Sequence, residues 1–260
     1  MIAFTGSTEV GKLIMAYAAQ TNLKRVALEL GGKSPLIVFA DADLDAAASA
    51  AAWGCFYNAG ETCHASTRLL AERPVMEDLI RRIEAVTARE ITLAHPFEPA
   101  AQIGALIEDA HLEKVLGMIE AGEKEGAIRA FGAEKALAET GGSYLSPGVF
   151  VAKSNRDLLA RQEIFGPVLT AIPFDGEEEA LALANDTSYG LAGAVFTRDM
   201  GRAHRVSEGI HAGTVWINTY DISSLATPFG GFRQSGFGRD RSVHAIDKYC
   251  DYKTIWQRFG

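Results

Sequence analysis

The chain has 260 residues, 48% of them hydrophobic and 22% charged, with a formal net charge of −8. That suits a soluble globular protein with room for one large or two small domains, and the acidic balance argues against nucleic acid or an anionic membrane surface as the main partner. No apolar run of about 18 residues exists, and the first residues carry no basic region ahead of an apolar stretch, so neither a transmembrane helix nor a signal peptide is expected.

In chain order, Ile2–Phe4 reads as the end of a strand and Thr5-Gly6-Ser7-Thr8 as a turn. Glu9–Ala19 follows as a helix with Ser7 or Thr8 as its N-cap. Arg25–Leu30 is a short strand closed by Gly31-Gly32, and Leu36–Phe39 is the continuous apolar run of a buried parallel strand. Asp41 and Asp43 open an Ala-rich helix to Tyr57. Arg68–Ala71 then predicts a strand, Val75–Thr87 a helix and Ile107–Gly122 an amphipathic helix. Val168–Phe174, Ala192–Phe196 and Gly213–Asn218 predict strands, alternating with helices over Glu177–Asn185 and Asp199–Ser207. Such alternation implies an α/β fold with a mostly parallel sheet covered by helices. The tail, Tyr249–Trp256, alternates like an exposed or partner-paired strand. There is no internal repeat and no Pro/Gly/Ser linker. Residues 1–31 form a β-α-β unit that buries little by itself; it either packs onto the rest or belongs to something longer.

Three cysteines at unrelated spacings, Cys55, Cys63 and Cys250, suit a reducing cytoplasm better than a disulfide framework. Cys55 falls in a helix pattern and Cys250 at a strand start, so both read as structural. Cys63 differs, because its neighbours are small and polar and lie between a helix and a strand. A loop exposes a thiolate to substrate. His64 adjoins it, but side chains of neighbouring residues in an extended segment point apart, which argues against His64 as its base. No Cys-x-x-Cys, His-x-x-x-His or carboxylate cluster suggests a metal site.

Other motifs admit both a plain and a functional reading. The Gly6-Ser7 turn at a helix start offers N–H groups and a positive dipole end to a phosphate, or is an ordinary βα turn. Glu29, at a strand end before Gly31-Gly32, is a partly desolvated general base or a solvated strand-end residue, and pattern alone favours the second. Glu163 can accept two hydrogen bonds from a sugar diol or simply enter a turn. The Gly- and aromatic-rich stretch Pro228–Arg239 lines a pocket or crosses the surface.

Together these segments resemble the aldehyde dehydrogenase superfamily. The resemblance runs through Phe4–Ser7, Leu28–Pro35, the Gly-x-x-Cys loop Gly60–Cys63, Glu163–Val168, Tyr189–Ala192, Gly213–Asn218 and Pro228–Gly236. The tail and Cys loop are most similar to the branch that acts on aminoaldehydes and related aliphatic aldehydes. The resemblance implies that Cys63 is the nucleophile, adding to an aldehyde as thiolate with the oxyanion held partly by its own backbone N–H. The thiohemiacetal would pass hydride to a nicotinamide, and Glu29 would activate water to hydrolyse the thioester. The implied cofactor is NAD or NADP, held by Gly6, Ser7, Val10, Leu30, Gly31, Glu163 and Phe165, with Val10 at the adenine and Glu163 on the nicotinamide ribose. Thr62, Asp221, Ser223 and Phe229 map to the aldehyde tunnel. Glu61 stands where many members have Gln. The implied division is 1–31 as a remnant of the dinucleotide-binding domain, 32–232 as the catalytic domain, and 233–260 as a return segment ending in an oligomerisation strand. A small-molecule aldehyde, a homo-oligomer (dimer or tetramer) and a cytoplasmic location complete the expectation.

The resemblance covers roughly the C-terminal half of a family member. The other half would supply most of the cofactor domain, a side-chain Asn in the oxyanion hole, a Lys on the adenosine ribose and an oligomerisation arm. A truncated gene, a misplaced start codon or one half of a split protein would each produce such a chain. Loss of one oxyanion donor costs about 10²–10³ in rate, so the chain alone is expected to be a poor dehydrogenase. Two other readings stand beside this one: a non-redox structural or interaction module, and a cofactor-independent thiol esterase using Cys63 and Glu29.

Overall fold

The computed structural model describes residues 1–260. In chain order its elements are β1 (Ile2–Thr5), α1 (Thr8–Gln20), β2 (Val26–Glu29), β3 (Pro35–Val38), α2 (Leu44–Phe56), β4 (Arg68–Glu72), α3 (Met76–Glu90), α4 (Asp109–Glu125), β5 (Ile128–Gly132), β6 (Lys135–Ala136), β7 (Tyr144–Leu145), β8 (Gly148–Val151), α5 (Leu158–Arg161), β9 (Val168–Phe174), α6 (Gly176–Asn185), β10 (Ala192–Phe196), α7 (Met200–Gly209), β11 (Thr214–Ile217) and β12 (Gly236–Phe237). Ser7 caps α1, its Oγ accepting the Val10 N–H at 3.3 Å. Asp43 caps α2 through Oδ1, which accepts the N–H groups of Asp45 and Ala46. Both caps satisfy donors that a helix start leaves free.

Seven strands form the main sheet in the order β11-β10-β3-β4-β9-β8-β5, parallel throughout except for the outer β5–β8 pair. Alternate side chains of a strand face opposite sides, and here each side meets its own core. Leu36, Val38, Leu69 and Ala71 pack with Ala47, Ala48, Ala51, Leu79 and Ile83 of α2 and α3. Ile37, Leu70 and Ile172 pack with Ala180, Ala184 and Val206 of α6 and α7 on the other side. The alanines of α2 let that helix lie close to the sheet. A third cluster joins α4 and α5 to the β8 end of the sheet through Val115, Ile119, Phe150 and Leu159.

Residues 1–31 do pack onto the rest. β1 and β2 are parallel, and the C-terminal segment adds β12 antiparallel to β2, giving a three-stranded sheet β1-β2-β12. The Leu30 N–H donates to the Ser235 carbonyl and the Thr8 hydroxyl to the Gln234 carbonyl, tying the two chain ends together.

The antiparallel pair β5–β8 and the hairpin β6–β7 lie outside the sequence expectations; β6 and β7 have two residues each, and β5 mixes half-buried and exposed positions. Residues 250–260 form no regular element within this chain and are exposed. No helix is long and apolar enough to cross a membrane.

Candidate active site

Three close approaches of backbone build the site. Asn58, Ala59 and Gly60 are consecutively left-handed, with φ of 52°, 55° and 73°, and turn the chain sharply out of α2 toward Cys63. At Gly60 a Cβ would come within 2.2 Å of the Gly166 carbonyl oxygen, so only glycine fits. The Gly31-Gly32 pair between β2 and β3 serves the same end. A Cβ at Gly31 would meet Glu163 Oε2 at 1.9 Å, and one at Gly32 would meet the Cys63 carbonyl oxygen at 2.4 Å. The Gly32 N–H donates to Glu163 Oε1 at 3.1 Å. The missing side chains thus bring the Cys63 loop, Glu29 at the end of β2, and Glu163 before β9 to one place.

That place is a crevice of about 560 Å³ lined by Cys63, Glu29, Glu163, Gly6, Ser7, Leu30, Gly31 and Phe165, among others. Glu29 is 8% exposed, and its Oε1 has no hydrogen-bond partner. Burial, seconded by the nearby Asp240 carboxylate, raises its pKa from 4.5 to about 7, against the pull of Arg239, the Cys63 thiol and Lys248. Burial also pushes the Cys63 thiol up to about 12, helped by the negative charges of Glu29 and Glu163. Burial raises Glu163 too, opposed by the Gly32 N–H and Lys33. A carboxyl poised near neutrality beside a protonated thiol suits proton transfer to and from a water or a sulfur. No three His, Cys, Asp or Glu side chains converge as a metal site requires.

A second recess, about 300 Å³, lies on the far side of the Cys loop and is lined by His64, Trp216, Asp221, Ser223, Phe229, Arg239 and Arg241, among others. Cys63 lines the crevice and His64 lines the recess, so the turn that carries them separates the two spaces. Of the residues expected at a cofactor, all but Val10 line the crevice; Val10 is 41% exposed on α1. Of those expected at an aldehyde, Asp221, Ser223 and Phe229 line the recess, and Thr62 lines neither space.

The structure corrects two cysteine and histidine readings. Cys63 and His64 lie in a turn, not an extended segment, so their side chains approach: Cys63 Sγ is 3.8 Å from His64 Nδ1, and His64 Nε2 is 2.8 Å from Asp221 Oδ1. Cys55 is buried as a structural thiol should be, but Cys250 is exposed, because the strand expected around it does not form.

Sequence reasoning passed over further lining residues. His111 and Lys114 lie three residues apart on α4 and both face the crevice. The helix was legible as amphipathic, but nothing in its pattern singled out these two side chains. His111 Nε2 is 2.6 Å from the Phe165 carbonyl, which can only accept, so Nε2 carries the proton. That bond, with Glu61 at 3.7 Å from the same nitrogen, holds the left-handed Phe165 (φ 58°) at the crevice mouth. Lys33 is fully buried with an unpartnered ammonium, lowered to about 7 by burial.

The profile of the Aldehyde dehydrogenase family matches residues 1–255. The NADP/NAD-dependent aldehyde dehydrogenase PuuC of Escherichia coli (strain K12) is 47% identical over 256 residues, covering 98% of this chain and 51% of its own. The betaine aldehyde dehydrogenase of Rhizobium leguminosarum bv. trifolii (strain WSM2304) is 43% identical over 260 residues, covering 100% and 53%. The crystal structure of an indole-3-acetaldehyde dehydrogenase complexed with NAD+ superposes with a TM-score of 0.96 at 46% identity, over 99% of this chain and 52% of that one. The chain spans about half the length of the curated relatives it matches. Since sequence and backbone agree along almost its whole length, the chain belongs to the aldehyde dehydrogenase family.

Proposed function

We propose that these residues carry the thiol chemistry of aldehyde oxidation to a carboxylic acid with NAD+ or NADP+. The observation that carries the reading is the convergence of Cys63, Glu29 and Glu163 in one crevice through two glycines that admit no side chain. The crevice fits a dinucleotide: a capped helix start at Gly6-Ser7 stands at one end, where N–H groups and the helix dipole favour a phosphate. Glu163 faces the same space with two acceptor oxygens for a ribose diol. When bound, the nicotinamide supplies the hydride acceptor. Cys63 forms the S–C bond to the aldehyde carbon, and its backbone N–H is one donor to the oxyanion. Glu29, with a pKa near 7, removes a proton from the water that hydrolyses the thioester. Phe165 at the crevice mouth limits water access to the reacting sulfur.

Among aldehydes we favour aliphatic ones bearing an amino group, on the likeness of the Cys63 loop to that branch of the family; in the recess Asp221 is bonded to His64 and Arg241 lies over the Phe229 ring. We read residues 1–31 with the cofactor side, 32–232 as the catalytic portion, and 233–260 as a return segment. Its tail, with Tyr252, Ile255 and Trp256 exposed, pairs with a second copy in a dimer or tetramer. A cytoplasmic setting fits the free thiols. In this reading the Cys63 N–H is the oxyanion donor these residues supply, and lack of a second donor would slow turnover by about 10²–10³.

Incubation with an aminoaldehyde and NAD+ or NADP+, followed by mass spectrometry of the Cys63 peptide, tests the reading. The expected result is an acyl adduct on Cys63 that accumulates in Glu29→Gln. No adduct with any aldehyde and either nucleotide, while activated esters are hydrolysed through Cys63, would replace it with the thiol esterase reading.

A further inference from the structure

The reaction just proposed leaves one step without a residue. Burial and two carboxylates keep the Cys63 thiol protonated, yet the sulfur must lose its proton before it attacks. The recess side of the Cys loop holds a group for this. His64 Nδ1 is 3.8 Å from Cys63 Sγ, and Nε2 is 2.8 Å from Asp221 Oδ1. A carboxylate on Nε2 draws the ring proton there and leaves the Nδ1 lone pair facing the thiol. The ring is further held edge-on by Phe229, centroids 5.8 Å apart at 81°, and the Tyr220 hydroxyl donates to the His64 carbonyl. Nucleophile, base and orienting carboxylate in hydrogen-bonded sequence is the arrangement that activates thiols on unrelated folds.

We propose that His64, oriented by Asp221, takes the Cys63 proton from the recess side, leaving Glu29 on the crevice side for the later water. The proposal rests on the reading of Cys63 as the nucleophile. In the step, the S–H bond breaks and its proton moves to Nδ1; the sulfur pair forms the S–C bond; the carbonyl π pair moves to oxygen. Asp221 stabilises the imidazolium and acts through it as a positioning residue. The charged groups around the pair are Asp221, Arg239 and Arg241 on the recess side, with the Tyr220 hydroxyl, and Glu9, Glu29, Glu163, His111 and Lys114 on the crevice side. Glu29, which contacts the thiol from the opposite side, is the rival base.

Iodoacetamide separates the two without aldehyde or nucleotide, since the sulfur displaces iodide and only the thiol proton needs an acceptor. The rate at Cys63 is read by mass spectrometry of its peptide against pH, in a Cys250→Ser background; Cys55 is fully buried. His64→Asn is expected to slow alkylation near neutral pH by about 10- to 100-fold and to remove one limb of the profile. Asp221→Asn gives a smaller loss, Asp221→Glu restores most of it, and Glu29→Gln keeps the limb. A His64→Asn profile matching the parent, or loss of the limb in Glu29→Gln instead, would overturn the proposal. If His64→Asn does not fold, an unchanged profile in Asp221→Asn overturns it alone. His64-dependent alkylation without aldehyde oxidation would sink only the dehydrogenase reading, so the two failures are distinct.

Discussion

The two larger sheets of this molecule bury their strands differently, and the site lies where they meet. In the seven-stranded sheet, Leu36, Ile37, Val38, Leu69 and Leu70 are fully buried, with helices on both faces. In the three-stranded sheet, β1 alternates between half-buried and exposed residues, and α1 presents Leu13, Met15 and Tyr17 to solvent at 50%, 46% and 56% exposure. Cys63 leads into β4 of the first sheet, and Glu29 ends β2 of the second. On the proposed reading, this places the thiol before a strand buried on both faces and the carboxyl at the end of a more loosely covered sheet. Regions with fewer buried contacts open at lower free energy.

The largest expected effect is chemical. Cys63→Ala should lower hydrolysis of an activated ester by at least about 10³-fold while leaving the melting temperature of both sheets unchanged. Equal activity in the variant would move the chemistry away from the junction.

Stability changes should then sort by sheet. Arg68 is fully buried and donates to the carbonyls of Lys33, Leu183 and Ala184 and to Asn155 Oδ1, at 2.8–2.9 Å. Arg68→Ala should cost about 3–5 kcal/mol by stranding these acceptors, and Leu70→Ala about 2–5 kcal/mol by opening a cavity; urea titration measures both. Leu13→Ser on α1 should stay within about 0.5 kcal/mol. Comparable losses at Leu70 and Leu13 would erase the distinction between the sheets.

Glu29 gives a pH-dependent measure of the junction. Its folded pKa of about 7 lies above the ordinary 4.5, so the folded state resists ionising where the unfolded state ionises freely. That penalty is absent below 4.5, grows as pH rises toward 7, and is complete above it. Glu29→Gln should therefore stabilise the chain more at pH about 8 than at about 5, as denaturation at both values would show. A gain independent of pH would place Glu29 in a wetter site. The smallest effect concerns timing: amides of β1 and β2 should exchange hydrogen before those of β3, β4 and β9.

Much of this was readable in the sequence. The strands Val168–Phe174 and Ala192–Phe196 appear with the expected bounds, and α2 ends one residue short of its expected limit. These elements carry strong apolar runs or caps, which act locally. The short edge pairs and the unpaired tail were not readable, since both depend on what lies beside them. At the site, Glu29 looked like a solvated strand-end residue by pattern, and His64 looked misdirected. Both readings fail for tertiary reasons: Glu29 is buried where Gly31-Gly32 lets Glu163 and the Cys63 loop come close, and the left-handed residues before Cys63 turn the chain sharply.

Legible from the chain alone were the α/β alternation, the two helix starts to within a residue or two (Ser7 or Thr8; Asp41 and Asp43), the glycine pairs and the family resemblance, because periodicity, capping and side-chain size are properties of a few neighbouring residues. The desolvation of Glu29, the position of His64 between Cys63 and Asp221, and the completion of the three-stranded sheet by residues 236–237 came only from the tertiary structure. Desolvation, a 157-residue hydrogen-bonded pairing and strand addition across the chain are set by where distant segments come to rest.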